Sequence, residues 1–374
     1  HRFAMSLSMP LGEPPFDDRT TRAFFGGLLP DDELRRRLAR HLGVSPRNEF
    51  ALLAEVGREC AGAIALLPPD EAPLAPTGDV RVLGDAELAG LLRELPTRPL
   101  LVGDDVRLSL AGAQDKIAVR VVDGGIALPT DGGPTTHIVK VPIPGFADTV
   151  PNEYFCMKLA AAIGLRAPPV ECREIGGTEV LVVQRFDRVR TADGRLRRLH
   201  QEDFCQATAT PPELKYQAEG GPGFTQMFDL LTRHATRAAV DRLRLLDMVV
   251  FHFLIGNADA HGKNFSLLLA PGSVSLAPVY DAMCTLVYPG LSARMAMKIG
   301  SKREFADVRR DHWTAFAKAV GLSPGIVIER LQRTAEALPV AARVLQIDAR
   351  LAQSATIDAV CASIDVRCRQ AREV

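Results

Sequence analysis

The stretch FLIGNADAHGKNFSLLL, residues 253–269, sets an acid, Asp259, five positions ahead of an amide, Asn264, with Lys263 between them. Apolar runs flank these groups, LLDMVVFHFLIG before and FSLLLAP after. The first is spaced as a buried helix and the second reads as a strand, which leaves the polar residues in a loop between two core elements. Asp, Asn and Gly suit such a loop as plain turn formers. Residues farther along the chain decide whether they do more.

A second acid, Asp281, ends the apolar run VSLAPVYDAM just after a turn at APGS. Asp, four residues, Asn, and then an Asp one short hairpin later is the order in which protein kinases place a catalytic base and two magnesium-holding side chains. That chemistry also needs a cation on the nucleotide phosphates, supplied by an earlier strand. In THIVKVP, Lys140 alternates with Val139 and Val141 and so faces away from them. Glu153, near the start of the next helix, is the nearest acid that could aim this lysine. Taken singly, Lys140 reads as a solvated strand residue, Glu153 as a favourable charge at a helix N-terminus, and Asp281 as a turn residue. All four in kinase order, with matching strand and helix contexts, outweigh those separate explanations. No G-x-G-x-x-G precedes Lys140. The nearest segment is RLSLAGAQDKIAV, where small Ala111, Gly112 and Ala113 let backbone N–H groups approach phosphate oxygens and Lys116 adds charge.

The rest of the chain fits an α+β, two-lobe plan. Its 374 residues, 47% hydrophobic, exceed the size at which one core usually splits. Residues 1–75 form a small N-terminal subdomain, in which LLPDDELRRRLARHLGVSP reads as a helix ended by Gly43, with Arg35, Arg36, Arg37 and Arg40 on a solvated face. The proline-rich LLPPDEAPLAPTGD marks a linker or surface excursion. Residues 76–190 form a β-rich lobe, from KIAVRVVDGGIALP, THIVKVP and VLVVQRFDRV, with one helix at NEYFCMKLAAAIGL. Residues 191–374 turn helical, and Ser323 with Pro324 marks one helix start. The chain opens as if mid-strand, so its true start is expected to lie upstream.

The 45 basic and 45 acidic residues cancel, so net charge favours neither nucleic acid nor an anionic membrane as a direct partner. The longest apolar run is roughly a dozen residues, against about 20 for a membrane span. Seven scattered cysteines without a C-x-x-C pair read as reduced thiols of a cytoplasmic protein. His252 and His261 have no cysteine companion at ligand spacing, which argues against zinc. His252 and the sole tryptophan, Trp313, read as core residues.

The segments SLSMPL, FFGGLLPD, EVGRECAGAIALLP, LSLAGAQDK, THIVKVP, NEYFCMKLA, QRFDR, QEDFCQA, KYQAEGGPG, NADAHGKNFS and PVYDAM, in that order, resemble the HipA-type serine/threonine kinases, toxins of bacterial toxin–antitoxin pairs. The resemblance implies a two-lobe kinase-like fold with a β-rich N-terminal lobe and a helical C-terminal lobe, and use of ATP with Mg2+. It implies a serine or threonine acceptor on a translation-related protein, typically an aminoacyl-tRNA synthetase. It also implies a small HipB-like helix-turn-helix antitoxin, through which the kinase would meet DNA and the nucleoid, and persistence as the outcome for the cell. Carried over by position, Asp259 is the base, Asn264 and Asp281 hold magnesium, and Lys140 contacts the phosphates. Ala111, Gly112, Ala113, Gln114, Asp115 and Lys116 form the phosphate loop. Gln184, Arg185 and Phe186 form the hinge beside adenine, with Gln184 standing where an acid is expected. His261, Gly262 and Lys263 line the nucleotide. Ser109 is the autophosphorylation site whose added charge shuts the enzyme off. The segment YQAEGGPGF matches the family, but its glycines suit a flexible surface loop and it receives no chemistry.

Two other readings compete. A small-molecule phosphotransferase of the same fold would want an acidic pocket for a cationic substrate, and no acidic cluster follows Asp281. A catalytically silent corepressor would not need Lys140, Asp259, Asn264 and Asp281 together.

Overall fold

The computed structural model describes residues 3–12, 15–70, 79–96, 101–102, 106–107, 112, 114–130, 133–348, 351 and 354–374. Most of the proline-rich excursion, residues 71–78, and Ser109, Ala111 and Ala113 lie outside them. Two compact units emerge: His1–Pro144 with Val170–Glu213 and Leu268–Pro271, and Gly145–Pro169 with Leu214–Leu267 and Gly272–Val374. The helix at NEYFCMKLAAAIGL, expected within the β-rich lobe, is Thr149–Ala162 and belongs to the second unit. Residues 191–213, expected with the helical lobe, belong to the first.

Among the described residues, the first unit is built on a six-stranded sheet in the order Val80–Val82, Gly125–Pro129, Lys116–Val122, His137–Lys140, Thr178–Gln184, Val170–Ile175. Neighbours run antiparallel, with Ile117 opposite Val139 and Val139 opposite Val182. These alternate residues face one side and enter a core shared with Phe24, Leu28 and Leu38, Leu52 and Val56, and Leu88 and Leu92. The N-terminal helices Asp18–Gly27, Asp32–Leu42 and Glu49–Val56 therefore cover a face of this sheet and bury its β-branched side chains. Helix Asp32–Leu42 ends at Gly43 in the left-handed region (φ 67), as the sequence suggested. Its arginines correct the expectation of a solvated face. Arg36 and Arg40 are exposed, but Arg35 lies on the Leu34/Leu38 side, is buried, and donates to Glu49 at 2.8 Å. Arg37 donates to Asp115 at 2.7 Å.

The second unit is dominated by helices. Pro324–Gln346 and Ala355–Arg372 pack on each other, on Ala238–Ile255 and on Thr149–Ala162. Ser323 caps the first of these, with Pro324 at the first helical position, although its hydroxyl makes no capping bond. That helix continues through Pro339, which is buried and removes one backbone donor from the ladder. Trp313 is fully buried and meets Phe253 edge-on at 5.3 Å. Among the described residues no helix is long and apolar enough to cross a membrane.

Candidate active site

Helix Ala238–Ile255 carries the apolar run ahead of the Asp259 loop and stops at Gly256, in the left-handed region at φ 73. A Cβ there would lie 3.0 Å from Leu286 and 3.2 Å from Arg367, so both conformation and space select glycine. The chain then turns sharply, and each polar group of the turn helps fix it. His252, buried in the last helical turn, accepts at Nδ1 from Asn257 Nδ2 at 3.1 Å. Burial pushes its imidazole down to about 4, although the Asp281 charge pulls the other way, so it is neutral and able to accept. Asn257 Oδ1 then accepts from the backbone N–H of Asp259 at 3.0 Å. Ala258 is clamped between Thr285 Oγ1 on its N–H (2.8 Å) and Ala296 N–H on its carbonyl (2.8 Å). The Asp259 side chain emerges exposed from this buried frame.

Next comes a short 3-10 turn, Gly262–Asn264. The Asn264 carboxamide is buried; Oδ1 accepts from the His261 N–H at 3.1 Å and Nδ2 donates to Asp281 Oδ2 at 3.0 Å. Asp281 is exposed, with a left-handed backbone (φ 56) that aims its carboxylate back at the turn. Tyr280 locks that turn, since its hydroxyl donates to the Lys263 carbonyl at 2.7 Å and lies 2.6 Å from Ser266 Oγ. The sequence-predicted Asp259, His261, Gly262, Lys263, Asn264 and Asp281 are thus gathered by the second unit around one loop. Asn264 and Asp281 each carry a hard oxygen donor on neighbouring side chains, although here the Asn264 Oδ1 is engaged by the His261 N–H and Nδ2 is the atom that meets Asp281. Magnesium fits such a pair, because it keeps several waters and takes few protein ligands beside substrate phosphates.

The first unit gathers a different set. Lys116 and Lys140 stand directly opposite each other on neighbouring antiparallel strands, hence on one face, and both are buried. Gly112 (φ +104) has a backbone conformation that favours glycine and lies so close to the Lys116 ammonium that a Cβ would sit 2.7 Å from Nζ. Gln114 donates to the Val141 carbonyl at 2.6 Å and the Val141 N–H donates to the Asp115 carbonyl at 3.3 Å, which ties this loop to the Lys140 strand. Two ammoniums and an approaching backbone could hold phosphate oxygens. Gln184 is exposed at the end of its strand, Phe186 is half-buried, and the Arg185 N–H donates to the Thr136 carbonyl at 2.9 Å. The Arg185 side chain is committed elsewhere, to a buried ion cluster with Glu59 and Asp187. Glu153 is buried in helix Thr149–Ala162 of the second unit.

One residue escaped the sequence reading. Tyr216, within the glycine-rich YQAEGGPGF, donates its hydroxyl to Asp259 Oδ1 at 2.6 Å. The motif was visible in the sequence, but a bond spanning 43 positions was not.

Comparison with known proteins identifies the family. The family model described as "HipA-like C-terminal domain" matches residues 108–342 and that described as "HipA N-terminal domain" matches residues 1–67. Y4mE of Sinorhizobium fredii, assigned as a kinase by name only, is 49% identical over 351 residues, covering 91% of this chain and 83% of the relative. The serine/threonine-protein kinase toxin HipA of Shewanella oneidensis is 30% identical over 351 residues, covering 90% and 79%. A solved complex of Shewanella oneidensis HipA and HipB with operator DNA matches at a TM-score of 0.85 and 27% identity, over 100% of this chain and 91% of that one. These matches lead to one assignment: the chain belongs to the HipA family of serine/threonine kinase toxins, with a kinase-like α+β fold.

Proposed function

We propose that this kinase transfers the γ-phosphoryl group of ATP, with Mg2+, to a serine or threonine of a translation-related protein, of which an aminoacyl-tRNA synthetase is the leading class. The observation that carries this reading is the convergence of Asp259, Asn264 and Asp281 on one braced loop, where Asn264 Nδ2 donates to Asp281 Oδ2 at 3.0 Å and keeps the two metal-holding candidates adjacent. Asp259 takes the proton of the acceptor hydroxyl as its oxygen attacks the γ-phosphorus. Asn264 and Asp281 hold the magnesium, which when bound neutralises charge on the phosphate oxygens. Lys140 and Lys116 add positive charge for those oxygens, and Gly112 brings backbone close to them. A lysate of the source cell incubated with the pure chain and labelled ATP tests the reading. A labelled protein, identified by mass spectrometry, is the expected result; a labelled small molecule without labelled protein favours the phosphotransferase alternative.

Asp281→Asn is expected to weaken Mg-ATP binding itself, at least roughly tenfold by calorimetry, because it removes the only full charge of the proposed metal pair. Unchanged affinity would remove Asp281 from that role. Ser109 lies outside the described residues, and its role rests on the family resemblance: a phosphate there adds about −1.5 to −2 charge next to the loop that must cradle ATP. Incubation with Mg-ATP is expected to place one phosphate on Ser109 while activity declines, and Ser109→Ala is expected to stay active. Phosphate mapped only to other residues defeats this. A small helix-turn-helix partner, HipB-like, is proposed from the Shewanella oneidensis complex, with DNA reached through it. Co-elution of the purified pair tests the partnership.

A further inference from the structure

The Tyr216 hydroxyl donates to Asp259 Oδ1 at 2.6 Å, and the rest of the residue is held as firmly as that bond. Its ring meets His261 edge-on, centroids 5.2 Å apart at 82°. Lys215 Nζ lies over the same ring, 5.6 Å from its centroid. The Tyr216 carbonyl accepts from the N–H groups of both Glu219 and Gly221 at 2.9 Å, which closes a tight turn behind the ring. Gly221 is obligatory in that turn, since a Cβ there would lie 2.8 Å from the Lys215 carbonyl oxygen. The turn is fastened to the catalytic loop from two directions. The Gly262 N–H donates to the Lys215 carbonyl at 3.4 Å. Strand Arg294–Ile299 donates from Lys298 N–H to Gln217 Oε1 at 2.9 Å and from Ala296 N–H to the Ala258 carbonyl at 2.8 Å, so one strand grips both the Tyr216 turn and the residue before Asp259.

An exposed carboxylate on a loop samples several rotamers, and a general base has to present one oxygen to the acceptor hydroxyl in a narrow geometry. Two roles are open to a hydroxyl bonded to such a base. A placeholder for the acceptor would have to swing away when substrate arrives, whereas a brace has to stay. A ring fixed by His261, by Lys215 and by a turn tied to the loop is built to stay. Resting on the kinase reading above, we infer that Tyr216 is a positioning residue for Asp259, holding its carboxylate in the rotamer that accepts the proton of the substrate hydroxyl. The glycine-rich YQAEGGPGF segment then has a function: its glycines shape the turn that carries the brace.

Tyr216→Phe keeps the ring and removes only the donor. In the full chain it is expected to slow phosphate transfer from saturating labelled ATP to protein about 10- to 100-fold, less than loss of the base itself. ATP affinity by calorimetry and the thermal midpoint should stay at wild-type values. Because the effect runs through Asp259, adding Tyr216→Phe to Asp259→Asn should slow the enzyme no further, whereas a general structural role would add its cost again. A wild-type chain that transfers no phosphate sinks the kinase reading and this role with it. A wild-type chain that transfers while Tyr216→Phe matches it, or a double variant whose losses multiply, overturns the Tyr216 role alone.

Discussion

Asp259→Asn is expected to lower phosphoryl transfer by about 10²–10⁴-fold, the range for loss of a general base, while Mg-ATP affinity stays near that of the wild type. The amide is nearly the same size as the carboxylate, and its oxygen can still accept from the Tyr216 hydroxyl. The bond from Asn257 Oδ1 to the residue's backbone N–H does not involve the side chain at all. The loop frame at Ala258 and the Asn264–Asp281 pair also persist, so what disappears is the capacity to take a proton. The contrast with Asp281→Asn makes the assignment testable, because one variant loses turnover with binding kept and the other loses binding. Rapid-quench kinetics beside calorimetry separates them, and full turnover in Asp259→Asn would remove Asp259 from the role of base.

The parts of this site that the sequence made legible are those whose geometry is local. Asp259 lies just ahead of the 3-10 turn that ends at Asn264, its carbonyl accepting from the His261 N–H at 2.8 Å, and Asp281 returns to that turn after one short excursion, so spacing and order carried the pattern. Lys140 was legible for a similar reason, since strand alternation fixes which face it shares with Lys116 once register is known. Tyr216 was not, because a tyrosine beside glycines looks like surface loop until tertiary structure lays it on Asp259. The partners of the Arg185 guanidinium were equally hidden: it is buried among acids two positions later and 126 residues earlier, a commitment that leaves its backbone groups for the expected hinge. Arg35 shows the limit of composition, because four arginines on one helix predict a wet face, and only the packing of Leu34 and Leu38 turns one of them inward.

The largest stability effect is expected from that buried cluster. Glu59 Oε1 accepts from Arg188 Nη2 at 2.8 Å, Arg185 Nη1 at 3.3 Å and Thr135 Oγ1 at 2.8 Å, while Oε2 accepts from Arg198 Nε at 3.0 Å. Asp187 completes it, accepting from Arg185 and from the Gly62 N–H at 2.7 Å. Glu59 belongs to the stretch matched as the N-terminal family domain and the arginines to the stretch matched as the C-terminal one, so the cluster fastens the two within the first unit. Burial alone would raise the Glu59 carboxyl, but the guanidiniums of Arg188, Arg185 and Arg198 overcome it and hold it at about 2, against 4.5 ordinarily. Glu59→Gln removes the charge and turns an N–H2 group toward Arg198, donor against donor, leaving buried guanidiniums undercompensated. The expected cost is about 3–5 kcal/mol, the range for breaking one partner of a buried ion pair, even though such pairs need not beat an apolar replacement. The pH dependence gives a second reading of the same quantity. A carboxyl with a depressed folded-state value contributes stability that is fully present above its unfolded value near 4.5 and is lost as pH falls toward about 2, on the order of 3 kcal/mol in total. Urea unfolding at neutral pH should therefore show a large gap between wild type and Glu59→Gln, and the gap should shrink across that acidic window as the wild-type carboxyl takes up its proton. A variant within about 1 kcal/mol of wild type at neutral pH, or a gap that does not close on acidification, would mean that the Glu59 charge is not what fastens the N-terminal segment to the sheet.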